Sequence, residues 1–118
     1  MNFKLIIAFV EDTKSDKIMQ AARDAGATGA TIVSDARGEG LKPQHTFLGL
    51  NLETHRNMLM FIVEEQLSRT ILEKISDVGG FKKTPGSGIA FQINIEDAVG
   101  LESQIQAIEE CIKKKEKC

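Results

Sequence analysis

The apolar positions of the chain alternate between two spacings, one typical of strands and one typical of helices. Residues 5–10 form a short apolar run rich in β-formers, which predicts a first strand. Asp12 and Thr13 then offer N-cap oxygens, Asp16 completes a capping-box-like arrangement, and Gly26 sits where a helix-ending glycine belongs. The helical repeat between them consists of Ile18, Met19, Ala22 and Ala25. The chain is therefore predicted to begin with a strand and a helix.

Three further apolar segments predict the remaining strands. They lie at residues 31–33, 56–63 and 89–93. A second helical repeat begins near Glu65 and ends at the glycine pair 79–80. Its inner stripe consists of Leu67, Ile71, Leu72, Ile75 and Val78. A last helix is predicted over residues 102–117, so the order is strand, helix, strand, long loop, strand, helix, strand and helix.

This order is typical of the ferredoxin-like βαββαβ fold of the α+β class, with a C-terminal helix added. We predict a single domain over residues 1–118 with an antiparallel sheet and two helices on one face. The segments 5–10 and 56–63 are apolar at both odd and even positions, whereas a sheet with one solvated face should alternate. The last helix could shield part of the second face. Other copies of the chain are the better cover, which predicts a closed symmetric oligomer.

Composition narrows the functional class. The net charge is −2 and the chain contains neither Trp nor Tyr, which argues against nucleic-acid binding, because that requires a basic surface and stacking aromatics. No apolar stretch approaches the ~18 residues that would span a membrane, so no direct membrane insertion is expected. Cys111 and Cys118 are too far apart on the predicted last helix for a disulfide, and two unpaired thiols predict a reducing cytoplasm.

The sequence offers no catalytic constellation. The only histidines, His45 and His55, lie in or beside the long loop, where each is expected to be a solvated side chain. No nucleophile has a recognisable base, no metal-ligand spacing is present, and no Walker A or dinucleotide motif occurs. We therefore expect neither an enzyme nor a metal site.

Two glycine-containing loops carry the remaining chemistry. The long loop covers about residues 37–55, and the glycine-rich loop covers residues 79–88. The topology places the end of strand two and the start of strand four at the same end of the sheet. Glycine N–H groups can form an anion site, and neighbouring subunits could bring Arg37, Arg56, Lys82 and Lys83 around it. The plainer alternative is that the glycine-rich loop is only a helix-to-strand turn.

With these loops placed, the chain resembles the PII signal-transduction (nitrogen regulatory) family, in a divergent branch. The resemblance rests on residues 25–31 (AGATGAT), 37–40 (RGEG), the long loop and residues 84–91 (TPGSGIAF). It implies a homotrimer with its sheets facing the threefold axis and an adenine nucleotide bound between subunits. By position, the resemblance assigns nucleotide-binding roles to Arg37, Gly38, Gly40, Arg56, Ile62, Val63, Gly86, Ser87 and Gly88. Lys82 and Lys83 are expected to add charge beside the phosphates.

Departures from the family pattern adjust these expectations. Ser87 and Ile89 stand where the main branch has Asp and Lys, and its arginine pair has no counterpart at residues 97–101. AMP, ADP or cyclic AMP are therefore expected as readily as ATP. The absence of Tyr excludes the family's tyrosine modification, and Leu41 replaces an arginine, so 2-oxoglutarate binding is not expected. The implied partner of the long loop is a membrane transporter or a metabolic enzyme.

Two alternatives remain open at this point. A CutA-like trimeric protein that binds divalent metal would share the architecture and would have to use His45, His55, Cys111 and Cys118 as ligands. The glycine-rich loop argues against that alternative. A ligand-free interaction module is the other, because several charged positions of the main PII branch are missing here.

Overall fold

The computed structural model describes residues 2–36, 46–47, 50–51, 56–102, 105–107 and 109–110. Its elements are β1 (Phe3–Glu11), α1 (Ser15–Asp24), β2 (Thr31–Ala36), β3 (Thr46–Phe47), β4 (Leu50–Asn51), β5 (Arg56–Glu64), α2 (Glu65–Gly79) and β6 (Gly88–Ile95). The predicted order and the α+β class are confirmed. Strands β3 and β4 form a separate antiparallel pair within the segment that the sequence predicted as the long loop. The described residues from 102 to 110 have helical backbone, and residues 111–117 of the predicted last helix lie outside the described part.

The main sheet has the strand order β2-β5-β1-β6, and every neighbouring pair is antiparallel. Arg56 pairs with both Glu11 and Ala36, while Gly88 pairs with Val10. The ends of β1 and β2 and the starts of β5 and β6 therefore meet at one end of the sheet. This confirms the predicted shared end for the segments that follow β2 and precede β6.

Helices α1 and α2 cover one face of this sheet and enclose the core. The buried apolar residues of the strands are Ile6, Ala8 and Val10 on β1 and Leu59, Phe61 and Val63 on β5. The helices contribute Ile18 and Ala22 from α1 and Ile71 and Ile75 from α2. The predicted inner stripe of the second helix is confirmed, because Leu67, Leu72 and Val78 also pack against this cluster.

The two helix starts compare differently with the sequence prediction. Helix α2 begins where predicted, and the Glu64 carboxylate caps it by accepting from the Gln66 N–H at 2.7 Å. The predicted cap of α1 is wrong. Asp12 and Thr13 belong to a 3₁₀ turn, α1 begins at Ser15, and no side chain caps it.

A buried amide explains the missing cap. Asn57, on β5, is 4% exposed and donates to the Asp12 carboxylate at 2.8 Å and to Ser15 Oγ at 2.7 Å. A buried amide without acceptors would lose about 1–3 kcal/mol, more than the roughly 1 kcal/mol of a typical cap. The Asp12 carboxylate therefore bonds to the distant Asn57 amide and does not cap α1, contrary to the prediction from the local pattern.

The opposite face of the sheet, called here the open face, is almost entirely apolar. The strand register places there Phe3, Leu5, Ile7, Phe9, Thr31, Val33, Met58, Met60, Ile62, Ile89, Phe91, Ile93 and Ile95. Charged residues of the same register lie at its two ends, Glu64 at one and the pair of Glu11 and Arg56 at the other. Ile62 is 38% exposed and Ile93 48% exposed. The rings of Phe9 and Phe91 lie side by side, with centroids 6.4 Å apart. The predicted apolar character of both sheet faces is thus confirmed.

Candidate functional site

The glycine-rich loop is closed by its own hydrogen bonds. Gly80 ends α2 in the left-handed region at φ 67°, and its carbonyl accepts from the Thr84 N–H at 3.0 Å and from Ser87 Oγ at 3.2 Å. The Ser87 N–H donates to the Thr84 carbonyl at 3.1 Å. Gly86 has φ 79°, a conformation that strains any residue with a side chain. The shape of the loop is therefore fixed by its own hydrogen bonds and by the backbone conformation of its glycines.

Phe81 holds this loop between α2 and β6. A Cβ atom built on Gly79 or on Gly88 would lie 2.3 Å from Cε1 of the Phe81 ring. The ring is consequently packed against two glycine backbones, and it also contacts the hydrophobic core. Both glycines are required by this close approach, whatever the loop binds.

The buried side chain of Arg56 stabilises the loop by hydrogen bonds to its carbonyls. Its side chain is 4% exposed, and its two terminal nitrogens donate to the Ser87 carbonyl at 3.3 Å and to the Gly86 carbonyl at 3.0 Å. The Glu11 carboxylate lies 3.6 Å from the same guanidinium. The sequence predicted Arg56 as a direct ligand contact, and the structure places its guanidinium on the inner side of the loop.

The two loop lysines lie on the outer side. Lys82 is 75% exposed and its ammonium is 3.5 Å from the Glu73 carboxylate, which also pairs with Arg69. Lys83 is exposed as well. An ion pair this exposed contributes little, so the Lys82 ammonium can move to a ligand at small cost.

A groove lies at the other end of the open face. It has a volume of about 410 Å³. Its lining consists of Leu5, Thr28, Gly29, Ala30, Thr31, Met60, Ile62 and Leu101. The hydroxyl of Thr28 is buried and has no hydrogen-bond partner in the described part of the chain. Thr31, which also lines the groove, is exposed and carries a second hydroxyl. A mostly apolar concave surface with a few polar groups is the usual form of a small-molecule site.

The structure brings together only part of the predicted site. Lys82, Lys83, Gly86, Ser87, Gly88 and Arg56 lie at the glycine-rich loop. Ile62 lines the groove, whereas Val63 is 1% exposed and points into the core. Arg37, Gly38 and Gly40 lie outside the described residues.

Of the residues that line the groove, the sequence predicted only Ile62 as a site residue. Residues 25–31 form part of the family resemblance, but their sequence does not show that residues 28–31 line a groove together with side chains of β1 and β5. The metal alternative finds no support in the described ranges, where no three His, Cys, Asp or Glu residues could hold an ion. His45, His55, Cys111 and Cys118 fall outside those ranges.

Within one chain the loop and the groove are far apart. Leu5 lines the groove and Val10 pairs with the start of β6, which puts the two regions ~17 Å apart along β1 at ~3.4 Å per residue. They also lie toward different edges of the sheet, because β6 is one edge and β2 the other. One chain cannot close both regions around a small ligand.

The fold and these two regions define an α+β sandwich with a preformed glycine-rich loop and an apolar sheet face. The family model "Nitrogen regulatory protein P-II" matches residues 3–104. The chain therefore belongs to the P-II nitrogen regulatory protein family, as its resemblance predicted. No curated protein sequence matches the chain.

Solved structures show the same fold. A PII-like signalling protein from Thermus thermophilus is 24% identical, with a TM-score of 0.60 and coverage of 80% of this chain and 88% of that chain. The nitrogen regulatory PII-like protein CPII from Thiomonas intermedia, bound to ADP, AMP and bicarbonate, is 22% identical, with a TM-score of 0.63 and coverage of 85% and 97%. CPII bound to ADP, AMP and acetate is 23% identical, with a TM-score of 0.59 and coverage of 81% and 90%.

Membership in this family bears on two questions that the sequence raised, whether the chain is an enzyme and whether it is CutA-like. The family and its PII-like structural neighbours are signalling regulators, so the chain is not an enzyme. The match to P-II also favours the PII resemblance over the CutA-like alternative. No helix among the described residues is long and apolar enough to cross a membrane.

Proposed function

We propose that this protein is a PII-like homotrimeric regulator. It binds an adenine nucleotide between neighbouring subunits and controls a protein partner through the long loop. The trimer is supported by the open face, where Ile7, Met60 and Phe91 lie side by side in register. At ~25 cal/mol per Å² of apolar surface, leaving this face in water would cost several kcal/mol that association recovers.

The main support for a nucleotide site between subunits is that the groove and the glycine-rich loop lie too far apart in one chain to bind the same small ligand. The groove suits a nucleobase, because its lining is mostly apolar and the exposed Thr31 carries a hydroxyl that can make a polar contact. The glycine-rich loop suits a phosphate, because its carbonyls turn inward to Arg56 and its lysines stand outside. Packing of the open faces would set the groove of one subunit beside the loop of the next and so complete the site.

The charge at the loop supports a ligand with few phosphates. Lys82 and Lys83 are the exposed cations that it offers, and residues 97–101 contain no arginine. AMP, ADP or cyclic AMP would therefore bind as readily as ATP. CPII, a protein of the same fold, is bound to ADP and AMP, which agrees with this class of ligand.

The partner belongs to the same proposal. A membrane transporter or a metabolic enzyme in the cytoplasm would read the nucleotide state through the long loop. Order–disorder change in a loop is a common way for a bound nucleotide to act on a partner.

Calorimetric titration with AMP, ADP, ATP and cyclic AMP tests the site, together with the variants Gly86→Asp and Gly86→Asn. Both variants place a side chain at φ 79° and so share the backbone strain, but only aspartate adds a charge that repels phosphate. We expect micromolar binding by the unmodified protein, loss of binding with Gly86→Asp and substantial retention with Gly86→Asn.

Sedimentation of the same samples controls for assembly. Absence of heat with all four nucleotides, from a protein that sediments as a trimer, would rule out the nucleotide site. A monomer that binds nucleotide would rule out the proposal that two subunits form the site.

A further inference from the structure

We propose that Arg56 and Glu11 form a positioning pair that sets the glycine-rich loop for phosphate without touching the phosphate. This inference rests on the proposed nucleotide site and assigns to Arg56 a role different from that of a ligand contact. It also adds Glu11, which no sequence pattern identified.

The guanidinium orients two successive peptide groups. It donates to the carbonyls of Gly86 and Ser87 through different nitrogens, at 3.0 and 3.3 Å. The Ser87 N–H, which belongs to the first of these peptide groups, already donates to the Thr84 carbonyl at 3.1 Å, so Arg56 acts on the loop through the carbonyl oxygens. Holding both oxygens inward therefore keeps them from the outer surface of the loop, where they would repel a phosphate.

Glu11 holds the guanidinium in this place. Its carboxylate lies 3.6 Å from Arg56 and is itself 34% exposed, whereas the Arg56 side chain is 4% exposed. Burial of a cation is costly unless it is paired and hydrogen-bonded. The carboxylate and the two carbonyls meet that need, so the charge of Arg56 is engaged inside the fold.

Arginine suits this task better than lysine. Its planar fork reaches two adjacent carbonyls and a carboxylate at once, whereas an ammonium is a single point of charge on a flexible stem. Arg56→Lys therefore separates the two roles. If Arg56 only supplies charge to a phosphate, Arg56→Lys should preserve AMP affinity. If Arg56 orients the loop, Arg56→Lys should reduce AMP affinity.

The test compares Arg56→Lys and Glu11→Gln with Arg23→Lys, a matched control whose arginine is exposed in the last turn of α1. Titration with AMP and with adenosine separates the phosphate contribution from that of the base. We expect both test variants to lose about tenfold or more in AMP affinity while adenosine affinity stays within about twofold, because the charge-assisted hydrogen bonds that orient the loop are weakened and the groove for the base is unchanged.

Amide hydrogen exchange without nucleotide provides a second readout. Exchange at residues 86–88 should rise in Arg56→Lys and Glu11→Gln and remain unchanged in Arg23→Lys. Unchanged AMP affinity together with unchanged exchange in both test variants would overturn the positioning role. If the unmodified protein binds no nucleotide, the proposed function fails, and the exchange experiment still decides whether this pair sets the loop. Glu11→Gln keeps the inference testable should Arg56→Lys fail to fold, because Glu11 is partly exposed.

Discussion

A methyl group at Gly88 would test how the glycine-rich loop is held. In Gly88→Ala the new carbon would lie 2.3, 2.7 and 2.9 Å from three atoms of the Phe81 ring. The shortest of these is about 1.2 Å inside the ~3.5 Å contact distance of carbon atoms, so the ring must move. It cannot move freely, because it packs against the core and against Gly79.

Two opposing effects determine how much Gly88→Ala changes the free energy of unfolding. Overpacking of this kind costs ~1–3 kcal/mol. Alanine also reduces the freedom of the unfolded chain, which stabilises by ~0.4–1 kcal/mol where the backbone accepts it, and the backbone of Gly88 lies outside the positive-φ region. We expect the free energy of unfolding to fall by about 1–2 kcal/mol, as measured by chemical denaturation.

Gly29→Ala is the matched control. A Cβ there meets no atom within 4 Å, so this substitution should leave the free energy of unfolding unchanged or raise it slightly. Phe81→Leu supplies the second arm of a double-mutant cycle, because a smaller side chain makes room for the methyl group. We expect a coupling free energy of at least ~1 kcal/mol between the two substitutions. Equal stability of Gly88→Ala and the unmodified protein would refute the confinement of Phe81.

Three further predictions concern the groove and the open face. Thr28→Val removes a buried hydroxyl that has no partner among the described residues, so the free energy of unfolding should rise by ~1 kcal/mol. Thr31→Val removes an exposed hydroxyl of the groove, so adenosine affinity should fall about fivefold, and unchanged affinity in calorimetry would exclude this hydroxyl from the site. Ile7→Lys puts a charge between Met60 and Phe91, so sedimentation should report a monomer with an unchanged circular dichroism spectrum. Thr13→Lys, an exposed control, should stay trimeric, and a trimer surviving Ile7→Lys would disprove this interface.

Local patterns were sufficient for the elements of the fold. The two-residue spacing of strands and the 3.6-residue spacing of helices are properties of neighbouring residues, so β5, α2 and the glycine stop at its end could be predicted closely. The same patterns showed that both sheet faces are apolar, and hence that one face needs a cover from outside the two-helix layer.

Contacts between distant residues were not predictable in this way. Arg56 is 30 and 31 residues from the carbonyls that it binds, and Asn57 is 45 residues from the Asp12 carboxylate. Both outcomes depend on which strand ends meet in space. The sequence therefore predicts Asp12 as a helix cap, whereas in the fold its carboxylate accepts a hydrogen bond from the buried Asn57 amide.

The sequence by itself determined the four strands of the main sheet, the body of the two helices, the apolar residues of each face and the glycine turns, because these depend on local spacing and backbone sterics. The start of α1 and the short strands β3 and β4 were not determined in this way. Only the tertiary structure decided that Val63 points into the core, that Thr28 lines a groove with Leu5 and Ile62, and that Arg56 lies behind the glycine-rich loop. These facts follow from strand register and burial, where a shift of one residue would exchange the two faces of a strand.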